Sequence, residues 1–134
     1  MSKQRDNEAL THRFHMDVFH KGKLEVVDEI IDSDFVWRNP IIPSELQHGP
    51  ESVKKIASAV IDAMPDRQIT HEDTIAKEDK VMIRWTMTGI TKKELFGIPP
   101  SDTPTSIVGF DLFRISSEGK IVEMWQQFSN GRWP

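Results

Sequence analysis

Apolar residues recur at helical spacing in the first half of the chain and at every second position in the last half, so helices are expected first and strands later. Leu10, Phe14 and Val18 repeat at i+4, and Ala9, Met16 and Phe19 add a second strip. That spacing predicts a helix over about residues 6–21, buried on more than one side. Gly22 supplies a C-terminal stop, after which Leu24, Val27, Ile30 and Ile31 predict a short second helix ending near Asp32 and Ser33. The β-branched and aromatic run Phe35-Val36-Trp37-Arg38-Asn39 reads as a strand, and Pro40 ends it because proline has no N–H for a ladder. A loop rich in Pro, Ser and His follows. Gly49-Pro50-Glu51 then opens a third helix with proline at its first position, and Val53, Ile56, Ala57, Val60 and Met64 form its apolar stripe.

From Arg67 the period falls to two. Strands are expected over Gln68 to Ala76, Val81 to Ile90, Thr105 to Ile115 and Lys120 to Phe128. Glu78-Asp79-Lys80, Gly97-Ile98-Pro99-Pro100 and Ser116-Ser117-Glu118-Gly119 separate them as turns and loops. Helices segregated from strands in this way argue for an α+β layer fold, not alternating βαβ units. No repeat, low-complexity stretch or linker divides the chain, and 134 residues suit a single domain spanning 1–134.

Composition removes several function classes. With no cysteine there is no thiolate nucleophile, no cysteine-ligated zinc and no disulfide, and with no tyrosine there is no phenolic acid or base. The net charge of −4 is spread through mixed-sign sequence, and Lys and Arg never cluster with aromatics, so nucleic acid is not an expected partner. Met1 to Leu10 is polar and no apolar run reaches membrane-spanning length, so neither secretion nor a membrane is expected, and cytoplasm is the default. There is no GxSxG elbow, Gly-rich phosphate loop or Rossmann fingerprint. The five histidines lack metal-binding spacing: His12, His15 and His20 on one helix stand three and five apart, not at the i, i+4 a zinc pair uses, and no HExxH occurs with them or with His48 and His71.

Three stretches carry a resemblance. They are Gly22-Lys23-Leu24 followed by Asp34-Phe35-Val36-Trp37-Arg38-Asn39-Pro40; Gly89 with Leu95-Phe96-Gly97-Ile98-Pro99-Pro100; and Phe110-Asp111-Leu112-Phe113-Arg114-Ile115 running into Glu118-Gly119-Lys120-Ile121-Val122-Glu123-Met124-Trp125. In this order they resemble the SnoaL-like polyketide cyclases and putative ester cyclases within the ketosteroid-isomerase-like superfamily. The resemblance covers nearly the whole chain. It implies a cystatin-like α+β cone, a curved antiparallel sheet wrapped around about three helices, and acid/base ring closure with no metal or cofactor. Set against ketosteroid isomerases, Asn39 falls where their general-base aspartate precedes a proline, Asp111 where their oxyanion-hole aspartate sits, and His15 where their helix-1 tyrosine sits. Some cyclases place an acid just after the last-strand tryptophan, where this chain has Gln126. An amide cannot accept a catalytic proton at neutral pH, so neither Asn39 nor Gln126 can be a general base, and steroid isomerisation is not expected.

Asp111 lies between Phe110 and Leu112 in an apolar strand, where burial favours the neutral acid that can donate to a developing oxyanion. The alternative is a buried salt bridge to Arg84 or Arg114. Alternation puts Gly109, Asp111 and Phe113 on one face; if Asp111 points into the cone, the superfamily mapping puts Met124, Gln126 and Phe128 inside too. Glu123, Trp125 and Gln127 then face outward, where relatives pair, and an exposed Trp125 suits a homodimer through the outer sheet face. An inward Asn39 brings Trp37 inside, as a wall for a flat ligand or as core. Arg84 either clamps a ligand carboxylate or pairs with Asp111. His15 reaches the cavity or stays at the solvent edge.

Two readings follow. In the first, a cofactor-free enzyme acts on a small, mostly apolar carbonyl or polyketide-like molecule by cyclisation, isomerisation or hydration. Asp111 is then proton donor or oxyanion stabiliser, Asn39 and His15 orient, and Trp37, Arg84, Phe113, Met124, Gln126 and Phe128 bind. In the second, the cone is a binding or interaction module that has lost the chemistry.

Overall fold

The first helix does not stay α-helical. In the computed structural model, which describes residues 3–134, α1 (Lys3–Arg13) passes into a π-helical stretch, Phe14–His20, whose wider turn closes through Lys21 N–H to Met16 O at 3.0 Å. Met1 and Ser2, the start of the polar segment expected to be no leader, lie outside the described residues. The wider turn alters which residues are buried. The covered stripe is Asn7, Thr11, Phe14, His15, Val18 and Phe19, whereas Ala9 is exposed and Met16 only half-buried, against the second strip expected of them. Asn7 is held there by donating from Nδ2 to Glu78 O at 3.2 Å.

Gly22 ends this helix at φ +74°, a conformation glycine adopts without strain. A 3₁₀ turn (Leu24–Val26) and α2 (Val27–Ile30) follow, and the chain is already extended at Ile31, where the sequence led us to expect helix as far as Ser33. Strand β1 (Ile31–Arg38) stops short of Pro40. A 3₁₀ turn (Ser44–Leu46) leads to α3 (Gly49–Ala63), then β2 (Gln68–Lys77), β3 (Lys80–Gly89), β4 (Thr105–Ile115) and β5 (Ile121–Asn130).

The sheet order is β1-β5-β4-β3-β2. The last four strands form an antiparallel meander, but β1 joins β5 in parallel, so the α+β cone has a mixed sheet. Parallel neighbours need a long crossover, which the path through α3 and the meander provides. The curved inner face presents Val81, Ile83, Trp85 and Met87 of β3 with Ile107, Asp111 and Phe113 of β4 to the helices.

Aromatic rings pack the first helix against the sheet. Phe14 sits with its ring centroid 5.2 Å from Phe113 and 5.7 Å from Trp37, and all three are almost fully buried. Burying each ring is worth about 1.5–3 kcal/mol, several times a surface ion pair, so this wedge fixes the helices on the sheet. Arg67 supplies the polar counterpart at the other end of the helices. Its guanidinium donates to Phe19 O, to His20 O at 2.7 Å and to Met64 O at 3.3 Å, so one cation holds the carbonyl ends of the π-helical stretch and α3 together. Burial lowers the Arg67 pKa from its usual value.

Candidate active site

Asp111 is fully buried, and neither guanidinium proposed for it is near. Arg84 alternates onto the outer face between Ile83 and Trp85, where it binds Asp73 at 2.7 Å and lies over the Trp133 ring at 4.9 Å. It therefore neither pairs with Asp111 nor faces the cone, so its expected place as a ligand clamp is corrected. Arg114 binds Glu123 at 3.1 Å on the same outer face. Burial of Glu123 opposes its ionisation, but hydrogen bonds from Arg38 and Arg114 outweigh it and hold the carboxylate below its usual range.

What Asp111 touches instead is a line of polar side chains. Its Oδ2 lies 2.7 Å from His15 Nε2, and its Oδ1 accepts from Gln126 Nε2 at 2.9 Å. Beyond Gln126, the Oε1 atom accepts from Trp37 Nε1 at 3.1 Å and from Asn39 Nδ2 at 2.9 Å. Beyond His15, its Nδ1 lies 2.6 Å from His71 Nε2.

Proton positions along much of this line follow from donors that have no choice. The Ile41 backbone N–H donates to Asn39 Oδ1 at 3.0 Å, which turns the Asn39 amide nitrogen toward Gln126. The indole of Trp37 can only donate. Gln126 must therefore present its oxygen to both and its nitrogen to Asp111, leaving Asp111 Oδ1 an acceptor. The remaining bridging proton lies between Asp111 Oδ2 and His15 Nε2.

The local structure explains the convergence. The π-helical stretch carries His15 to the inner side, and such widened turns recur at functional positions. Residue pairing sets Asp111 beside Gln126 across β4 and β5. His71 arrives by a bulge: β2 pairs with β3 regularly from the Lys77–Lys80 end to Asp73–Arg84, and then His71 pairs with Trp85. Without the extra residue, Glu72 would face inward opposite Trp85 and His71 outward. The bulge exchanges them, and Glu72 instead accepts from Thr86 Oγ1 on the outer face at 2.7 Å. No sequence signal marks that bulge, which is why His71 was not among the expected site residues.

The line of polar groups borders a cavity of about 70 Å³ whose lining includes Phe14, His15, Trp37, Trp85, Gln126 and Phe128. Leu95 and Phe96, from the loop between β3 and β4, also line it. Thus His15, Trp37, Gln126 and Phe128 line this cavity. Phe113 and Met124 do not: both are wholly buried in solid core beyond the cavity, which corrects their place as ligand contacts. Asn39 does not line it either, and its amide is committed to Gln126 and Ile41, so it orients Gln126 and not a ligand carbonyl.

Electrostatics single out His71. Burial, and then the neighbouring His15 and His12 imidazoles, lower its pKa to about 4 against an opposing pull from Asp111. At neutral pH it is an uncharged imidazole. Among the described residues no group of three or more His, Asp or Glu side chains is arranged to hold a metal ion. None of the helices described is long and apolar enough to cross a membrane.

Residues 9–130 match the family model described as SnoaL-like polyketide cyclase. Among solved structures, the chain is similar to TsrD from Streptomyces laurentii, with TM-score 0.81 and 20% identity over 96% of this chain and 92% of that one. It is also similar to AclR from Streptomyces galilaeus, with TM-score 0.75 and 21% identity over 95% and 81% of the two chains. IdmH from Streptomyces antibioticus gives TM-score 0.72 and 24% identity over 96% and 93%. At these identities the likeness is one of fold. No curated protein matches the chain.

Proposed function

We propose, from the premise that the chain belongs to the SnoaL-like polyketide cyclase family, that its cone binds a small, mostly apolar carbonyl or polyketide-like molecule and exchanges a proton with it through the Asp111–His15 pair. One observation carries this reading: a fully buried carboxylate, matched only by an imidazole and an amide, is set beside an apolar cavity. Apolar residues of similar volume would fill that position at no loss of stability, so a buried ionisable pair there calls for a chemical reason. The imidazole lies at the cavity wall with Nε2 on Asp111 and Nδ1 on His71, so a ligand exchanges a proton with His15 by taking the place of one of these two contacts, and Asp111 is the group that stores the proton.

The cavity of about 70 Å³ is smaller than the roughly 300–1,000 Å³ of most ligand pockets, so one wall must yield. The loop carrying Leu95 and Phe96 is that wall. It has little regular structure, a Leu95–Ile98 backbone pair closes it on itself, and Phe96 sits at φ +46°, a conformation that costs a non-glycine residue about 1–2 kcal/mol.

The test begins with a thermal-shift screen of aromatic, polyketide-like and terpenoid compounds, since a ligand selective for the folded state raises apparent stability. Turnover of each binder is then compared between the parent and Asp111→Asn. The expected result is binding retained and a rate lowered by about 10²–10⁴. Equal rates in both proteins would remove the catalytic role. Binding with no conversion in the parent favours the second reading, a non-catalytic carrier, for which the complete burial of Asp111 behind His15 and Gln126 speaks.

We further propose that two copies pair through the outer sheet face. Phe110 and Trp125 are exposed there, beside an open groove that Met82 and Leu112 also line.

A further inference from the structure

The line of polar groups does not end at the cavity. We propose that His71 is the solvent-side end of a proton path to Asp111, with His15 as its middle member. This rests on the acid/base reading above and deepens it, because an acid sealed from water needs a route by which its proton is replaced.

Three observations converge on His71. Its Nε2 lies 2.6 Å from His15 Nδ1, close enough for the proton to pass directly between the rings. It is only half-buried, and its other side lines a surface hollow with Arg5, Glu8, His12 and Thr74. The strand is bulged at the one point that turns this side chain inward. A pair of imidazoles in contact is poor filler, because one nitrogen must stay bare for the other to donate to it. As a conduit the same requirement is an advantage. The titratable groups facing His71 are His12 and His15 from the first helix and, through His15, Asp111 from β4; Arg5 and Glu8 border the hollow, and β3 sets the apolar side chains of Ile83 and Trp85 beside it. Its depressed pKa keeps it neutral, so it passes a proton without holding one.

The transfer balances. At rest His15 donates from Nε2 to the Asp111 carboxylate, and His71 donates from Nε2 to His15 Nδ1. Water places a proton on His71 Nδ1, the His71 Nε2 proton moves to His15 Nδ1, and the His15 Nε2 proton moves to Asp111 Oδ2. The result is one proton taken from solvent, a neutral acid at position 111 and both imidazoles in the opposite tautomer. The reverse passage returns a proton to water and restores them.

Nitrogen-resolved NMR of the ligand-free full chain tests this without any substrate, so its outcome is separate from that of the compound screen. In the parent, one proton is expected to lie between His71 Nε2 and His15 Nδ1, either in the resting tautomers or in the opposite pair that the transfer produces; a His71 protonated on Nδ1 that faces a bare His15 Nδ1 would break the line and overturn the proposal. The second readout is the lifetime of the His15 Nε2 proton against exchange with water. In His71→Phe and His71→Gln it is expected to lengthen by about tenfold or more, and free imidazole should shorten it again in the Phe variant. Loosened packing alone would shorten the lifetime instead. An unchanged or shorter lifetime in whichever variant keeps the parent's backbone spectrum overturns the path, and the tautomer measurement decides it if neither does.

Discussion

Gln126 does more than its neutral side chain suggests, because it fixes the proton arrangement around Asp111. Its oxygen takes two donors and its nitrogen donates to the carboxylate at 2.9 Å, so every hydrogen-bonding direction in its plane but one is used. Where some cyclases carry an acid after the last-strand tryptophan, a carboxylate here would stand against Asp111 with no cation nearby. Two such groups at hydrogen-bond distance cannot both ionise. Gln126→Glu is therefore expected to raise the pKa of the pair above that of the unfolded chain. A raised pKa contributes stability that is fully present below the unfolded value and lost as pH rises through the folded one. Urea unfolding should find the variant close to the parent at acid pH and about 1–3 kcal/mol weaker at neutral pH. A constant difference across that range would mean that the amide matters only for its shape.

At the scale of elements, β4 combines a flat wall with a buried acid by omitting one side chain. A Cβ on Gly109 would lie 2.5 Å from Trp85 Cζ2 and 2.7 Å from Gln127 O, so only glycine lets the Trp85 ring lie against the strand and shape the cavity. Gly109→Ala is expected to push the indole inward at a cost of about 1–3 kcal/mol, read as a lowered melting temperature with a shifted tryptophan fluorescence maximum. An unshifted spectrum at parental stability would show that the ring has room to spare. The sequence made such elements legible where a period governs them: four strands of period two, the α3 stripe and the inward set Asp111, Gln126 and Phe128 all follow from spacing and the family resemblance. What it concealed were departures from period. The π-helical turn seats His15, the β2 bulge reverses His71 and Glu72, and the parallel seat of β1 depends on a crossover that no local pattern encodes. Arg84 was expected inside for its charge alone, whereas strand alternation between the inward Ile83 and Trp85 sends it to the outer face.

Considered as a whole, the molecule has two faces with different needs. The inner one is closed by helices and stabilised by its own aromatic wedge. The outer one presents Phe110 at 43% exposure and Trp125 at 39%, beside the Arg38–Glu123–Arg114 cluster, with the Trp133 ring edge-on to Phe110 at 5.2 Å. The C-terminal segment thus shields part of this face, and Trp125 stays exposed with the Arg38 guanidinium over its ring at 6.0 Å. A second copy presenting the same surface would bury both tryptophan patches around a two-fold axis, the arrangement a self-complementary interface requires. Asn39 and Gln126 also border the outer groove, so the same pairing would keep water from the amide end of the line that leads to Asp111. Trp125→Glu is then expected to convert a dimer to a monomer in sedimentation and to remove the dependence of melting temperature on protein concentration that a dimer shows. Its cavity should still bind whatever the parent binds, because Trp125 points away from it. A parent chain that sediments as a monomer at high concentration would overturn the pairing and leave the acid/base site intact, since each cone already holds its own Asp111, His15 and His71.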